Sequence, residues 1–411
     1  MHLFIDKYVN KLFCVFFALV FTAGCSLNKQ IKDELPYIDV RKNYPEKEII
    51  LTEIANVTYL HLNSNNEEYL YKGNIRNVTN NTIVIYDNSS GSIMFFSKDG
   101  NPKSQFNHFG QGPEEYNFVE RIIYDEENND VFVFDNKLKD KISTILVYSS
   151  SGKYKRKIPL PHNAELSSLI SFDDNSFFVN SRVSIDSLQE WDGVTELIPT
   201  SYFSTFYQVS KENGTVLDSL KMPCNITDLI YKVDRGDYSI VVEKIFFCNI
   251  TKSFDGLFLC NPENDTIYHY AKDKAVTPVF YKTPPVQKTN LKVIIDNWCE
   301  IGDYLFFRIQ TLQSDMRSKF DYPEAFYIHE KKTNEIFRQK IILPDYKDKE
   351  FTICPSNIRF SDVVSEVFFE LDLIELKQAY NENKLSGKLK ELVASLNELS
   401  DNNVFMFVRF N

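Results

Sequence analysis

Two stretches of the chain repeat one unit: Thr82–Gly100, TIVIYDNSSGSIMFFSKDG, and Val131–Gly152, VFVFDNKLKDKISTILVYSSSG. Each is an apolar strand ending in Asp-Asn, a polar turn, a second apolar strand and a turn closing on Gly. Such a unit cannot bury both of its faces alone, so its recurrence along a long chain demands a repeat β architecture in which neighbours stack. The runs Ile83–Tyr86 and Val131–Phe134 are apolar at every position rather than alternating. That suits strands covered on both sides.

The unit recurs with drift. Ser176–Asn180 with Ser204–Gly214 reads as a third pair, Tyr238–Glu243 with Leu257–Asp265 as a fourth, and Tyr304–Ile309 with Ala325–Asn334 as a fifth. Closing turns are expected at Gly100, Gly152, Gly214, Asn264 and Asn334, because Gly and Asn accept positive φ. Weaker strand candidates flank each pair, and four strands per unit is the blade of a β-propeller. At the ends, Glu48–Leu62, Glu67–Tyr71, Asp362–Leu371 and Val404–Phe410 are also strand-like. A ring must close to avoid open edges. One composite blade made from both termini predicts an all-β, six-bladed propeller over 36–411, with strand 404–410 closing it. A seventh blade follows only if Asp362–Leu371 belongs to a further degenerate unit. Leu385, Leu389, Leu392, Leu396 and Leu399 recur at helical spacing and predict one short amphipathic helix at about 387–399, packed back on the ring.

The N-terminus carries an address. Lys7 and Lys11 precede the apolar run Leu12–Phe21, and Thr22-Ala23-Gly24-Cys25 follows with small residues before a cysteine. This layout is a secretory signal, assigned to 1–24, and the cysteine resembles that of a bacterial lipobox. Cys25 is therefore expected to be lipidated, with 25–35 as a tether to the membrane and the rest outside the cytoplasm. Periplasm and cell surface both remain open. A net charge of −11 argues against nucleic acid and against anionic membrane surfaces. Cys224, Cys248, Cys260, Cys299 and Cys354 are odd in number and set no disulfide framework. Cys248 and Cys260 could face each other across a hairpin, though buried free thiols are the favoured reading.

The segment Phe109–Tyr116, FGQGPEEY, taken with the lipobox, the Asp-Asn strand ends and the closing strand, resembles the six-bladed β-propeller lipoproteins of Bacteroidetes. Their hallmark is a Gly-x-Gly-Pro-Gly-Glu-Tyr-like segment. Gly110, Gly112, Pro113, Glu115 and Tyr116 match it, while Glu114 stands where Gly is usual. The resemblance spans nearly all of the mature chain and implies a ring related in shape to NHL-type propellers, without naming an activity.

Candidate sites are few. The 110–116 segment lacks the Lys-Ser/Thr ending of a phosphate loop, so Gly110, Gly112 and Pro113 are read as turn-forming. Glu115 and Tyr116 are the candidates for contact with a ligand at the channel mouth. His61, His108, His162, His269 and His329 form no pair at ligand spacing, and no metal or cofactor is expected. Asp125–Asp130, DEENND, reads as a solvated hairpin tip. Lactonase-like propellers hold a metal with scattered Glu, Asn and Asp. Asp87, Asn88, Asp135 and Asn136 are of that type but repeat in register, as turn formers would. No Gly-x-Ser-x-Gly elbow occurs. The leading expectation is a lipid-anchored envelope module that recognises a peptide, glycan or partner protein at one face of the ring. The alternative is a metal-dependent channel-site enzyme, a lactonase-like hydrolase or NHL-type lyase.

Overall fold

A computed structural model describes residues 35–135, 144–161, 164–181, 187–191, 194–198, 203–223, 230–234, 240–244, 249–262, 264–288, 292–312, 323–354, 357–358 and 360–410. The signal segment, Cys25, Asn136, His162, Cys224 and Cys248 lie outside these residues.

The chain begins with β1 (Tyr37–Asp39), β2 (Glu46–Ile50), the one-turn helix α1 (Leu51–Ile54) and β3 (Ala55–His61). Blade 1 follows as an antiparallel meander of β4 (Gly73–Val78), β5 (Thr82–Asp87), β6 (Ile93–Ser97) and β7 (Pro102–Phe106). Blade 2 comprises β8 (Val119–Asp125), β9 (Asp130–Asp135), β10 (Thr144–Tyr148) and β11 (Tyr154–Pro159). Every residue of β5 and of β9 is buried, as strands sandwiched between neighbouring sheets must be.

Blade 3 pairs β12 (Ile170–Ser171) with β13 (Ser176–Asn180) and then, across a separate hairpin of β14 (Ser187–Trp191) and β15 (Val194–Ile198), with β16 (Phe203–Ser210) and β17 (Val216–Pro223). A second separate hairpin joins β18 (Ile230–Asp234) to β19 (Ile240–Lys244). Of the stretch Tyr238–Glu243 expected in the fourth blade, Ile240–Glu243 belongs to that hairpin instead, and Tyr238 lies outside the described residues. Blade 4 is β20 (Asn249–Lys252), β21 (Gly256–Cys260), β22 (Thr266–Ala271) and β23 (Val276–Thr283). Blade 5 is β24 (Lys292–Ile301), β25 (Tyr304–Leu312), β26 (Glu324–Glu330) and β27 (Glu335–Leu343), with β28 (Tyr346–Phe351) added to β27. The outer turns close on Gly100, Gly152, Gly214 and Asn334 at φ 83°, 83°, 78° and 58°, and blade 4 closes on Lys274 at φ 71°. Gly100 has a second constraint: a Cβ there would stand 2.2 Å from the carbonyl oxygen of His61.

The last sheet joins the two ends. Here β29 (Glu366–Leu371) pairs with β30 (Val404–Phe410), which pairs with β3. The six-bladed expectation is corrected here: among the described residues the ring has five four-stranded blades, and the sheet expected as a sixth is a three-stranded closure. The reason is local. The stretch that would supply its innermost strand leaves β29 and pairs with blade 1, where Val78 N–H donates to Phe360 O and Asp362 N–H donates to Val78 O. Helices, not a hairpin, link β29 to β30.

The single helix expected at about 387–399 is also corrected. Among the described residues there are three, α1, α2 (Leu373–Asn381) and α3 (Gly387–Ser395). The Asp372 side chain caps α2 by accepting from Glu375 N–H at 2.9 Å. Leu396 already has an extended backbone, and Leu399 is 83% exposed. Leu376, Leu389 and Val393 bury the two longer helices against blade 5 and the closing sheet.

The core is not one central mass but a circle of interfaces. Phe368, Phe405 and Phe407 meet Ile83, Ile85 and Phe96 between the closing sheet and blade 1. Similar clusters join blades 1 and 2, 2 and 3, 3 and 4, 4 and 5, and blade 5 to the closing sheet. The N-terminal strands lace this circle from outside. β1 runs parallel to β23 on blade 4, β2 runs parallel to β27 on blade 5, and β3 completes the closing sheet.

Candidate functional site

The Phe109–Tyr116 segment links blade 1 to blade 2 and folds on itself. Gly110 N–H donates to Tyr116 O at 2.9 Å, and Tyr116 N–H donates to His108 O at 3.0 Å. Glu115 is half-buried and turns its carboxylate back to accept from Gly112 N–H at 2.7 Å. A Cβ on Gly110 would stand 2.1 Å from that carboxylate, so only glycine leaves room for this fold-back. Pro113 lies exposed at the tip.

Tyr116 is fully buried. Its hydroxyl donates to Gly91 O at 2.8 Å and accepts from His108 N–H at 3.1 Å, and burial pushes its pKa up. Tyr148 O–H donates to Glu114 O, and the His108 ring stacks on Tyr148 at 5.1 Å. Tyr116→Phe strands the buried Gly91 carbonyl and the half-buried His108 amide, which costs about 1–3 kcal/mol. Denaturant unfolding checks this; a loss below about 0.5 kcal/mol would mean the hydroxyl does not hold the loop.

A second assembly lies on the ring axis. Asn77 of β4 donates through Nδ2 to Asp362 Oδ2 at 3.0 Å and accepts through Oδ1 from Tyr124 N–H of blade 2 at 3.0 Å. Lys252, at the end of β20 in blade 4, pairs with Asp362 Oδ1 at 2.5 Å. The Arg121 guanidinium of β8 lies 5.8 Å from the centre of the Phe360 ring. Side chains from blades 1, 2 and 4 belong to sheets that are not all neighbours. They can meet only where the inner edges of the sheets converge, so this is the channel mouth.

Burial opposes ionisation of Asp362. The Lys252 ammonium, hydrogen bonds from Lys252 and Asn77, and the field of Arg121 outweigh it and hold the carboxyl below the usual carboxylate range. Lys211 stands in the turn after β16 of blade 3, is 8% exposed, and sets its ammonium 5.5 Å from the Phe177 ring centre. Burial pushes its pKa down. Asp125, Asp362 and Asp173 attract its charge and Lys252 repels it, so it shares the field of the axial pair. No carboxylate reaches ion-pair distance of it among the described residues.

The remaining sequence candidates are dispersed. Asp87 accepts from Ser89, Ser90 and Lys72 N–H, and Asp135 accepts from Asn117 and Phe118 N–H, so both brace turns. Asp125 binds Asn128, and Asp130 pairs with Lys155 and Arg156. His61 faces Asp401, His269 contacts Ser253 and Asp255, and His329 contacts Asn334. Among the described residues no three His, Cys, Asp or Glu gather as a metal site. Cys260 and Cys299 are buried free thiols, and Cys354 is half-buried with its Sγ on Asn357 Oδ1 at 3.3 Å. No helix among the described residues is long and apolar enough to cross a membrane.

Comparison with known proteins adds kinship. The family model described as "Domain of unknown function (DUF4934)" matches residues 35–409. No curated protein matches the chain. A crystal structure of a candidate exported protein from Bacteroides fragilis NCTC 9343 is similar at 17% identity, covering 89% of this chain and 99% of that one, with a TM-score of 0.55. A DUF4221 family member from Bacteroides vulgatus has 11% identity over 87% of this chain and 97% of that one, with a TM-score of 0.42. Virginiamycin B lyase from Staphylococcus aureus has 13% identity over 69% and 98%, with a TM-score of 0.28. Of these three, the first alone is close enough to bear on the fold, and it bears on nothing else.

Proposed function

The chain belongs to the DUF4934 family, and on that premise we propose that it is a binding module of the bacterial cell envelope. In this reading lipid on Cys25 anchors it and the following residues tether the ring outside the cytoplasm. The channel mouth then recognises a peptide, a glycan or a partner protein. One observation carries the reading: charged and amide side chains from separate blades, Asn77, Arg121, Lys252 and Asp362, converge on the axis. A stable ring that presents polar groups at its centre suits recognition, since the sheets hold the geometry while the loops supply contacts.

The test has two parts. Alkyne-fatty-acid labelling in cells should mark the wild type, while Cys25→Ser should stay unlabelled and leave the membrane fraction. The mature chain, immobilised, should retain a ligand from an array of envelope glycans and peptides, and Lys252→Ala should reduce that retention. Unlabelled wild type removes the anchor. Retention that ignores Lys252, or no retention at all, removes the mouth as the binding site.

A further inference from the structure

We infer that the end of the ring around the axial cluster docks a basic polypeptide, with Phe254 as the apolar anchor of the contact. This rests on the binding reading above and chooses among the ligand classes that it leaves open.

Phe254 is 93% exposed, more than any other large apolar side chain among the described residues. It stands in the turn between β20 and β21, two residues after Lys252 of the axial pair. The turn is braced. Ser253 N–H donates to Gly256 O at 3.0 Å, and Lys272 N–H of the outer turn donates to Asp255 O at 3.0 Å. The His269 ring of β22 stands 2.8 Å from Ser253 Oγ and 3.0 Å from Asp255 Oδ1. A Cβ on Gly256 would lie 2.1 Å from Tyr270 O, so the hairpin closes tightly at its neck. A ring presented on a backbone already fixed loses little further freedom when a partner covers it, and that is the property of a binding anchor.

The phenyl ring is not isolated. Lys274, in the same outer turn as Lys272, pairs with Asp218 of β17 at 2.8 Å. That contact draws the start of blade 3's outer strand, with exposed Val216 and Leu217, to the turn that precedes exposed Val276. Four of the nine exposed large apolar side chains among the described residues therefore lie on turns and strand starts joined by these contacts. Clustering of this kind marks an interaction surface, where single exposed residues would mark nothing.

Charge selects the partner. The inner strands β4, β8, β12, β20 and β24 run the same way in the ring, so the first turn of every blade emerges at one end. These turns, 79–81, 126–129, 172–175, 253–255 and 302–303, contain six carboxylates and neither Lys nor Arg. Glu127 and Asp174 are exposed, as is the Asp255 side chain. A second copy would bring the same acids to the contact, and an anionic lipid surface would be repelled. A neutral glycan gains nothing from the field of these charges. A polypeptide with apolar side chains among Lys or Arg matches both the anchor and its rim.

The mature chain is titrated with three labelled peptides of equal length, alternating Lys-Leu, Lys-Ser and Glu-Leu, and binding is read by fluorescence anisotropy. The Lys-Leu peptide is expected to bind about tenfold or more tightly than either of the others, and to weaken as salt rises. Phe254→Ser should lower its affinity about tenfold, the scale of one anchor residue, and Phe254→Tyr should keep much of it. Phe109→Ser, on the connection between blades 1 and 2, should change nothing. Phe254 is exposed, so its replacement leaves the melting transition in place.

Equal binding of the three peptides, or binding of none, overturns the proposal. So does a Lys-Leu affinity that ignores Phe254→Ser or falls equally with Phe109→Ser. Phe254-dependent sedimentation with phosphatidylglycerol vesicles, self-association or glycan retention overturns it in favour of a membrane, a second copy or a sugar. If the array screen finds a ligand sensitive to Lys252 while the Lys-Leu peptide fails, the binding module stands and the basic partner falls. If neither experiment finds a ligand, both readings fall together.

Discussion

A Met406→Pro chain should lose its cooperative unfolding transition. Met406 is fully buried in the middle of β30, opposite Phe369 of β29 on one side and Tyr59 of β3 on the other. Proline removes a ladder donor and cannot sit in a central strand without distortion, a cost of about 3 kcal/mol or more. Losing the buried Met side chain adds about 2–5 kcal/mol. The total approaches the whole net stability of a typical domain, about 5–15 kcal/mol. The damage also spreads, because this sheet packs against both blade 1 and blade 5. Circular dichroism on heating should show a broad, shallow change, and limited proteolysis should cut throughout the chain. A sharp wild-type-like melt would mean that the ring closes without β30.

Lys211→Met should make the protein more stable, not less. Methionine keeps most of the volume and removes a buried ammonium that has no carboxylate partner among the described residues, which should gain about 1 kcal/mol or more by lifting the desolvation cost. The effect has a signed pH dependence. The folded pKa of Lys211 lies below its unfolded value of about 10.5, so the unfolded chain binds more protons between the two. The penalty is complete below the folded value, and wild-type stability rises as pH climbs through that window. Asp125, Asp173 and Asp362 act on the ammonium together with Lys252. Urea unfolding at neutral and at alkaline pH should show the gap between variant and wild type narrowing as pH rises. A variant less stable than wild type at neutral pH would mean that the ammonium is compensated within the fold.

Much of the architecture was legible because strands covered on both faces leave unbroken apolar runs. TIVIY and VFVF announce β5 and β9, and the glycines at 100, 152 and 214 mark the turns. The blade count was not legible. Residues 360–362 look like the approach to another strand, yet Phe360 O and Asp362 N–H bond to Val78 of blade 1. No local pattern distinguishes those two partners. The helix α2 did carry a signal, Asp372 three residues before Glu375, that an apolar reading of the region passes over. Strands β1 and β2 add in parallel to outer edges, so no hairpin turn betrays them. The axial cluster was hidden for a different reason. Asn77, Arg121, Lys211, Lys252 and Asp362 are scattered along the chain, and only closure of the ring brings them together.

The lacing of the outer edges has a consequence for biogenesis. β1, β2 and β3 emerge first during synthesis, yet their partners are β23, β27 and β30. Loop closure over such separations is slow, and strands left waiting are exposed to wrong partners. The early segment must therefore stay unpaired until β23, β27 and β30 have been made. Closure of the ring is thus a late step that waits for the last of these partners.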